Sequence, residues 1–271
     1  MCRTIVATLV AIAVSQPLSR ENFDRILFHH TRKAGGTSLR KLLAAAANHH
    51  GLPIRVREGQ IVNETELFGD DRVFTITNLR EPTARVWSDY LFEGQWVHGQ
   101  SEKLKQRTAE NHVDFDAWVA RVEERGKNLG RPNALWTCVS NCYCKLFGGR
   151  RGGKRDLERI LDLERILAGN CSRALETLRR FHLVIVLERL DDEAYLDRLH
   201  EQLNIPHEKK LMHLQRTFSG DLSHMDARIA ASMNAMNALD APLYETVARE
   251  RREDPAGLAA VSEQIKIQPE M

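Results

Sequence analysis

Between a short apolar segment, Arg25 to His29, and a helix-forming run, Thr37 to Asn48, lies His30-Thr31-Arg32-Lys33-Ala34-Gly35-Gly36-Thr37-Ser38. A strand–loop–helix junction turns successive backbone N–H groups and the positive end of a helix toward one place, which suits an anion. Gly35 and Gly36 let the backbone close on a phosphate, Thr37 and Ser38 bring hydroxyl donors, and Lys33 adds a mobile cation beside Arg32 and Ala34. This is not a Walker A loop, in which the lysine follows the glycines; here it precedes them. Nor does an apolar strand end in a plain Asp that would hold the Mg²⁺ of a P-loop kinase. Taken alone, the segment reads equally well as a Gly-Gly turn with a solvated lysine.

A second constellation is Thr77-Asn78-Leu79-Arg80-Glu81-Pro82-Thr83-Ala84-Arg85-Val86-Trp87-Ser88-Asp89-Tyr90. Arg80 falls just past the carboxyl end of an apolar run, the edge on which open α/β sheets bind ligands. Ser88 follows eight residues later, about two turns into a helix that starts at Pro82.

With both segments in this order, the chain resembles the membrane-associated, Golgi-type carbohydrate sulfotransferases that use 3′-phosphoadenosine 5′-phosphosulfate (PAPS). In that family a P-K-[TA]-[GA]-[GS]-T-S loop holds the 5′-phosphosulfate, and L-R-[DE]-P-x-x-R-x-x-S-x-Y holds the 3′-phosphate through its first Arg and its Ser. Arg32 stands where Pro is usual, as in a plant and algal branch that carries R-K-A-G-G-T. The looser segments Phe181 to Asp192 and Asn237 to Glu245 extend the likeness, which spans about Ile26 to Val247. The resemblance implies that the loop from Arg32 to Ser38, with Arg80 and Ser88, binds PAPS, and that Arg216, in His213-Leu214-Gln215-Arg216-Thr217, lies over the 3′-phosphate. Glu188, Asp240 and Tyr244 read as structural.

Sulfonyl transfer needs a base for the acceptor hydroxyl, a cation at the oxygen bridging sulfur and phosphorus, and a grip on the departing nucleotide; no metal is required. The motif gives the cation to Lys33, whose charge gains value as negative charge develops on the leaving phosphate. For the base, Glu58 in Val56-Arg57-Glu58-Gly59 ranks first, because it follows a short strand between the two motifs. His98, past the Arg80 helix, is second, and His49 or His50 at a helix end is third. Glu58 reads alternatively as a surface carboxylate paired with Arg55 or Arg57. Trp87 and Trp96 flank the Arg80 helix, where stacking on a sugar competes with burial.

These residues require a scaffold. Arg25 to His29, Ile54 to Val56, Val73 to Thr77 and Leu183 to Leu187 read as strands. Helices are expected at Thr37–Asn48, from Pro82, and at Phe115–Glu124, Asp156–Leu167, Cys171–Arg180, Asp191–Leu203 and Asp226–Arg252. Alternating strands and helices indicate an α/β fold, here a P-loop-like three-layer sandwich on a parallel sheet of about five strands. The basic stretch from Gly148 to Arg155 is a loop within one domain, with a solvated face favoured over an anionic-glycan site.

At 271 residues, with 42% hydrophobic and 28% charged residues, the composition is that of one globular domain. Thirty-nine Lys and Arg against 37 Asp and Glu leave no global field to attract nucleic acid, so an anion site has to be local. Thr4 to Val14 behind Arg3 is too short to span a bilayer and fits a signal peptide or weak membrane anchor over residues 1–18, which implies the secretory pathway or Golgi lumen; a buried strand or helix in a cytoplasmic protein is the alternative. The domain then covers 19–255 and a polar tail 256–271. Without Cys2, four cysteines remain, an even number that suits an oxidising lumen; zinc binding and buried free thiols are the other readings. Asn63-Glu64-Thr65 and Asn170-Cys171-Ser172 are glycosylation sequons. Two rivals to a sulfotransferase with a glycan acceptor stand: a nucleotide kinase, and a nucleotide-binding module without turnover.

Overall fold

The computed structural model of the chain describes residues 16–59, 62–91, 114–128, 138–148, 163–206, 225–252 and 255. The N-terminal apolar run, the tail from 256, Trp96, His98, the basic loop after Gly148 and Arg216 lie outside the described residues.

Four strands, β1 (Arg25–His30), β2 (Ile54–Glu58), β3 (Val73–Leu79) and β4 (Leu183–Val186), form one sheet in the order β2-β1-β3-β4, parallel throughout. β3 is buried along its whole length, as a central strand must be, whereas β2 at the edge keeps Arg55 and Val56 exposed. The sequence carries four strand-like runs and all four pair. The described residues thus form four of the about five strands expected.

Period-two alternation splits the strands between two cores. Ile26, Phe28, Phe74, Leu183 and Ile185 pack with α1 (Gly36–His50) and α7 (Glu193–Leu203). Leu27, Val73 and Val184 pack on the opposite face with α2 (Glu64–Phe68), α5 (Cys142–Gly148), α6 (Leu163–Arg179) and α9 (Asp240–Glu250). A third cluster joins α3 (Pro82–Asp89), α4 (Phe115–Asn128) and α8 (Ala227–Met236) through Val86, Tyr90, Phe115, Trp118 and Met233. Trp87 packs against this cluster, 5.4 Å from the Tyr90 ring.

Two helix boundaries differ from the sequence pattern. The expected interruption near Gly169 is absent and α6 runs through it; one interior glycine costs about 1 kcal/mol, and α6 is held by burial of Ala174 and Leu178 and by a Cys144–Cys171 disulfide. The expected single helix from Asp226 to Arg252 breaks after Met236 instead. There Asn141 Oδ1 accepts from the backbone N–H groups of Leu239 and Asp240, at 3.0 and 3.3 Å, and so competes with the helical ladder.

From β1 the chain passes through α1 to β2 on one side, then returns past α2 to β3 on the other. The carboxyl ends of β1 and β3 therefore flank the point where strand order reverses, the place where open α/β sheets form their binding crevice. Both sequence constellations begin there.

Candidate functional site

The loop after β1 holds two left-handed residues, Lys33 with φ 63° and Gly35 with φ 78°. A lysine in that region is uncommon and marks a backbone held by its surroundings. Asn78 supplies much of that hold. It is fully buried inside β3, its Oδ1 accepts from Thr31 N at 2.8 Å, and its Nδ2 donates to the carbonyls of Thr31, at 3.3 Å, and Ala34. Sequence reasoning missed Asn78; the signal was an amide amid the apolar and Thr residues of a buried strand, where it must find partners.

Gly35 caps α1 with no side-chain bond to the first turn, so its N-terminal amides keep the donor capacity that an anion uses. The glycines serve close packing as well as backbone freedom. A Cβ on Gly35 would overlap Leu187, and one on Gly36 would overlap the His30 ring. Thr37 and Ser38 form the first turn of α1.

Arg80 follows β3 directly, and its Nη1 donates to the carbonyl of Lys33 at 3.2 Å. The two motifs thus touch. Burial lowers the Arg80 pKa from its usual value, opposed by the nearby Glu188 carboxylate. α3 then starts at Pro82, capped by Glu81, whose carboxylate accepts from the amides of Thr83 and Ala84. Glu81 N donates in turn to Glu188 Oε1 at 2.9 Å, and Tyr244 Oη donates to Glu188 Oε2 at 2.7 Å. Glu188 and Tyr244 are supports of this junction, as the sequence suggests. Ser88 is buried near the end of α3, next to Asp89, whose Oδ1 lies 3.4 Å from Arg32 Nε. Burial raises the Asp89 pKa, opposed by Arg32, Arg85 and Lys33.

Lys33 is half-buried, and desolvation pushes its pKa down to about 8, with Arg32 and Arg80 acting in the same sense and Asp89 and Glu58 against it. It therefore stays mostly charged at neutral pH and loses its charge as pH rises through about 8.

Glu58 ends β2, next to His30 in register. Its carboxylate pairs with Arg40 through Oε2, and Oε1 lies 3.7 Å from His30 Nδ1, which also meets Arg40 Nη2 at 3.1 Å. Arg55 and Arg57 pair with Glu66 instead. The His30 and Arg40 contacts, His30 first, hold the Glu58 pKa down to about 2, so the group is a carboxylate with low proton affinity. His49 and His50 lie in the last turn of the 15-residue α1, about 20 Å from the loop at 1.5 Å per residue. His50 Nε2 meets Leu203 O at 2.9 Å. Neither reaches the site.

Cys138 pairs with Cys142, and Cys144 with Cys171. Among the described residues no group of three or more His, Cys, Asp or Glu is placed to hold a metal ion, and no helix is long and apolar enough to cross a membrane. Asn63 Oδ1 accepts from Glu66 N as the cap of α2, and Asn170 lies within α6, so both sequons sit in ordered elements.

Arg32, Lys33, Arg80 and Asp89 thus meet at the switch point, with a helix N-terminus beside them; Glu58 stands on the neighbouring strand, its charge acting on Lys33. Such a place can hold a phosphate-bearing ligand at two points. No protein-family model matches the chain, and no curated protein matches it.

Proposed function

We propose that the chain is a sulfotransferase that moves a sulfonyl group from PAPS to a carbohydrate hydroxyl, on a P-loop-like three-layer sandwich. The observation that carries this reading is the contact of Arg80 with the Lys33 carbonyl, which joins the two resembling motifs where the strand order reverses. The α1 N-terminus and Lys33 are the grip for the 5′-phosphosulfate; Arg80 and Ser88 are the grip for the 3′-phosphate.

PAPS, as donor, supplies an activated S–O bond. The acceptor oxygen forms a new bond to sulfur as its proton passes to a base, and the bridging oxygen leaves with the old bonding pair. Lys33 lies at that leaving oxygen and neutralises the charge that grows on it. Glu58 is the base on a neighbouring strand. Two disulfides favour an oxidising compartment, in keeping with the secretory pathway.

One observation favours a second reading, a nucleotide-binding module without turnover: the Glu58 carboxylate is already engaged by Arg40 and His30. Thermal shift and turnover separate the readings. Stabilisation by adenosine 3′,5′-bisphosphate without Mg²⁺ together with sulfate transfer supports the enzyme. Stabilisation without transfer supports the module, and stabilisation only by ATP with Mg²⁺ supports a kinase.

A further inference from the structure

Arg80 is held from behind by a residue that neither motif contains. Tyr143 of α5 is fully buried, and its hydroxyl lies at the carboxyl end of β3, where it accepts from Arg80 N at 2.9 Å and donates to Arg80 O at 2.5 Å. One side-chain oxygen thus satisfies both backbone polar groups of the residue that follows the strand. Burying either group without a partner would be costly, so the phenol fixes where the Arg80 side chain starts.

Tyr143 is itself fixed from several directions. The carboxylate of Asp240, completely buried, accepts from Tyr143 N at 2.8 Å and from Cys144 N at 2.9 Å. Both sequence neighbours of Tyr143 are in disulfides, Cys142 with Cys138 and Cys144 with Cys171. Arg85, in the first turn of α3 and five residues after Arg80, donates to Cys138 O at 3.1 Å and to Cys142 Sγ at 2.9 Å, and its guanidinium stands 5.9 Å from the Tyr143 ring centre. Asn141 Oδ1 takes the backbone N–H of Asp240 in return. The phenol therefore has little freedom to leave Arg80.

We infer that Tyr143 is the positioning residue of Arg80: it sets the selectivity of the site for nucleotides that carry a 3′-phosphate, and Asp240 and the two disulfides hold it in place. This rests on the reading of Arg80 as the 3′-phosphate ligand. Tyr143→Phe keeps the ring in the core and removes only the hydroxyl. It acts through Arg80, so the loss belongs to the 3′-phosphate and disappears once the Arg80 side chain is gone.

The test is calorimetric titration of the full chain, its disulfides intact, with adenosine 3′,5′-bisphosphate and with adenosine 5′-phosphate, for wild type, Tyr143→Phe, Arg80→Ala and the double variant. Tyr143→Phe is expected to weaken the bisphosphate about 10-fold, as one orphaned buried polar group warrants, and to leave the monophosphate unchanged. The double variant is expected to bind the bisphosphate within about twofold of Arg80→Ala, because two changes on one route do not add. If Tyr143→Phe does not fold, Asp240→Asn is compared in the same way and is expected to show a smaller loss of the same selectivity. Equal loss for both nucleotides, no loss from a folded variant, or a further loss on the Arg80→Ala background overturns the proposal. If Arg80→Ala itself fails to distinguish the two nucleotides, the PAPS reading of the site is what fails.

Discussion

Arg32 Nε lies 3.4 Å from Asp89 Oδ1, so the loop after β1 and the end of α3 are joined by an ion pair whose acidic partner is almost completely buried. The resembling family usually has Pro at this loop position, which donates nothing. Here the loop gains a side-chain tie to the helix that carries Ser88, and Asp89 gains the cation that its burial demands.

Asp89→Asn removes the Arg32–Asp89 ion pair. The expected loss is about 1 kcal/mol, because burial already disfavours the charged Asp89 carboxylate and Arg32 stays partly exposed. Urea denaturation measures it. Arg32→Pro on the Asp89→Asn background removes the cation that faced the carboxylate and restores the residue usual in the resembling family, and the double variant is expected to be about as stable as Asp89→Asn alone.

Lys33→Ala is expected to lower kcat about 10²-fold or more and PAPS affinity much less, because its interaction strengthens as the leaving phosphate gains charge. The pH profile gives an independent check. Desolvation holds the Lys33 pKa down to about 8, so its positive charge is lost as pH rises through that value, and kcat/KM is expected to fall on the alkaline side near pH 8. Lys33→Arg retains its charge there and is expected to lack that limb. An unchanged kcat for Lys33→Ala removes the residue from the chemistry.

Glu58→Gln is expected to retain PAPS binding and to lose about 10²-fold or more of the rate. The His30 and Arg40 contacts hold the Glu58 pKa near 2, so the group is already deprotonated well above that pH and the rate is expected to stay flat from about pH 4 up to the lysine limb. Arg40→Ala relieves one of those contacts, raises the Glu58 pKa and is expected to bring an acid limb into view. A structural role alone predicts near-normal turnover for Glu58→Gln, as a partly exposed pair contributes about 0–1 kcal/mol. In that event an inactive but folded His98→Ala variant moves the base to His98.

Much of this arrangement was legible from residue types. The apolar runs at Arg25, Val73 and Leu183 gave three of the four strands because a parallel strand covered on both faces needs an unbroken apolar pattern, and the strand–Gly-Gly–helix junction gave the loop. Long-range partners left no such mark. Glu58 reads as a partner for Arg55 or Arg57, two near neighbours in sequence, yet β1 pairs beside β2 and brings His30, with Arg40 from α1, to its carboxylate. Tyr143 carries no local pattern, because its role depends on α5 packing across the end of β3, 63 residues away in sequence. The split of the last helix was illegible for the same reason: Asn141, 99 residues before Asp240, takes up its backbone N–H.

Ser88→Ala and Arg80→Ala are each expected to weaken adenosine 3′,5′-bisphosphate and to spare adenosine 5′-phosphate, since only the former carries the group they meet. The arginine contact is worth about 1.5–3 kcal/mol, or roughly 10- to 150-fold in affinity. Competition binding with both nucleotides reads the difference, and equal losses would show that the residues act through folding.

Sulfonyl transfer to a glycan is measured by incubating the full chain with radiolabelled PAPS and a panel of glycans, with small phenols as a control and Lys33→Ala alongside. Label is expected on a glycan with wild type and almost none with Lys33→Ala. Label on the phenols alone, or no transfer to any acceptor by a chain that binds adenosine 3′,5′-bisphosphate, contradicts it.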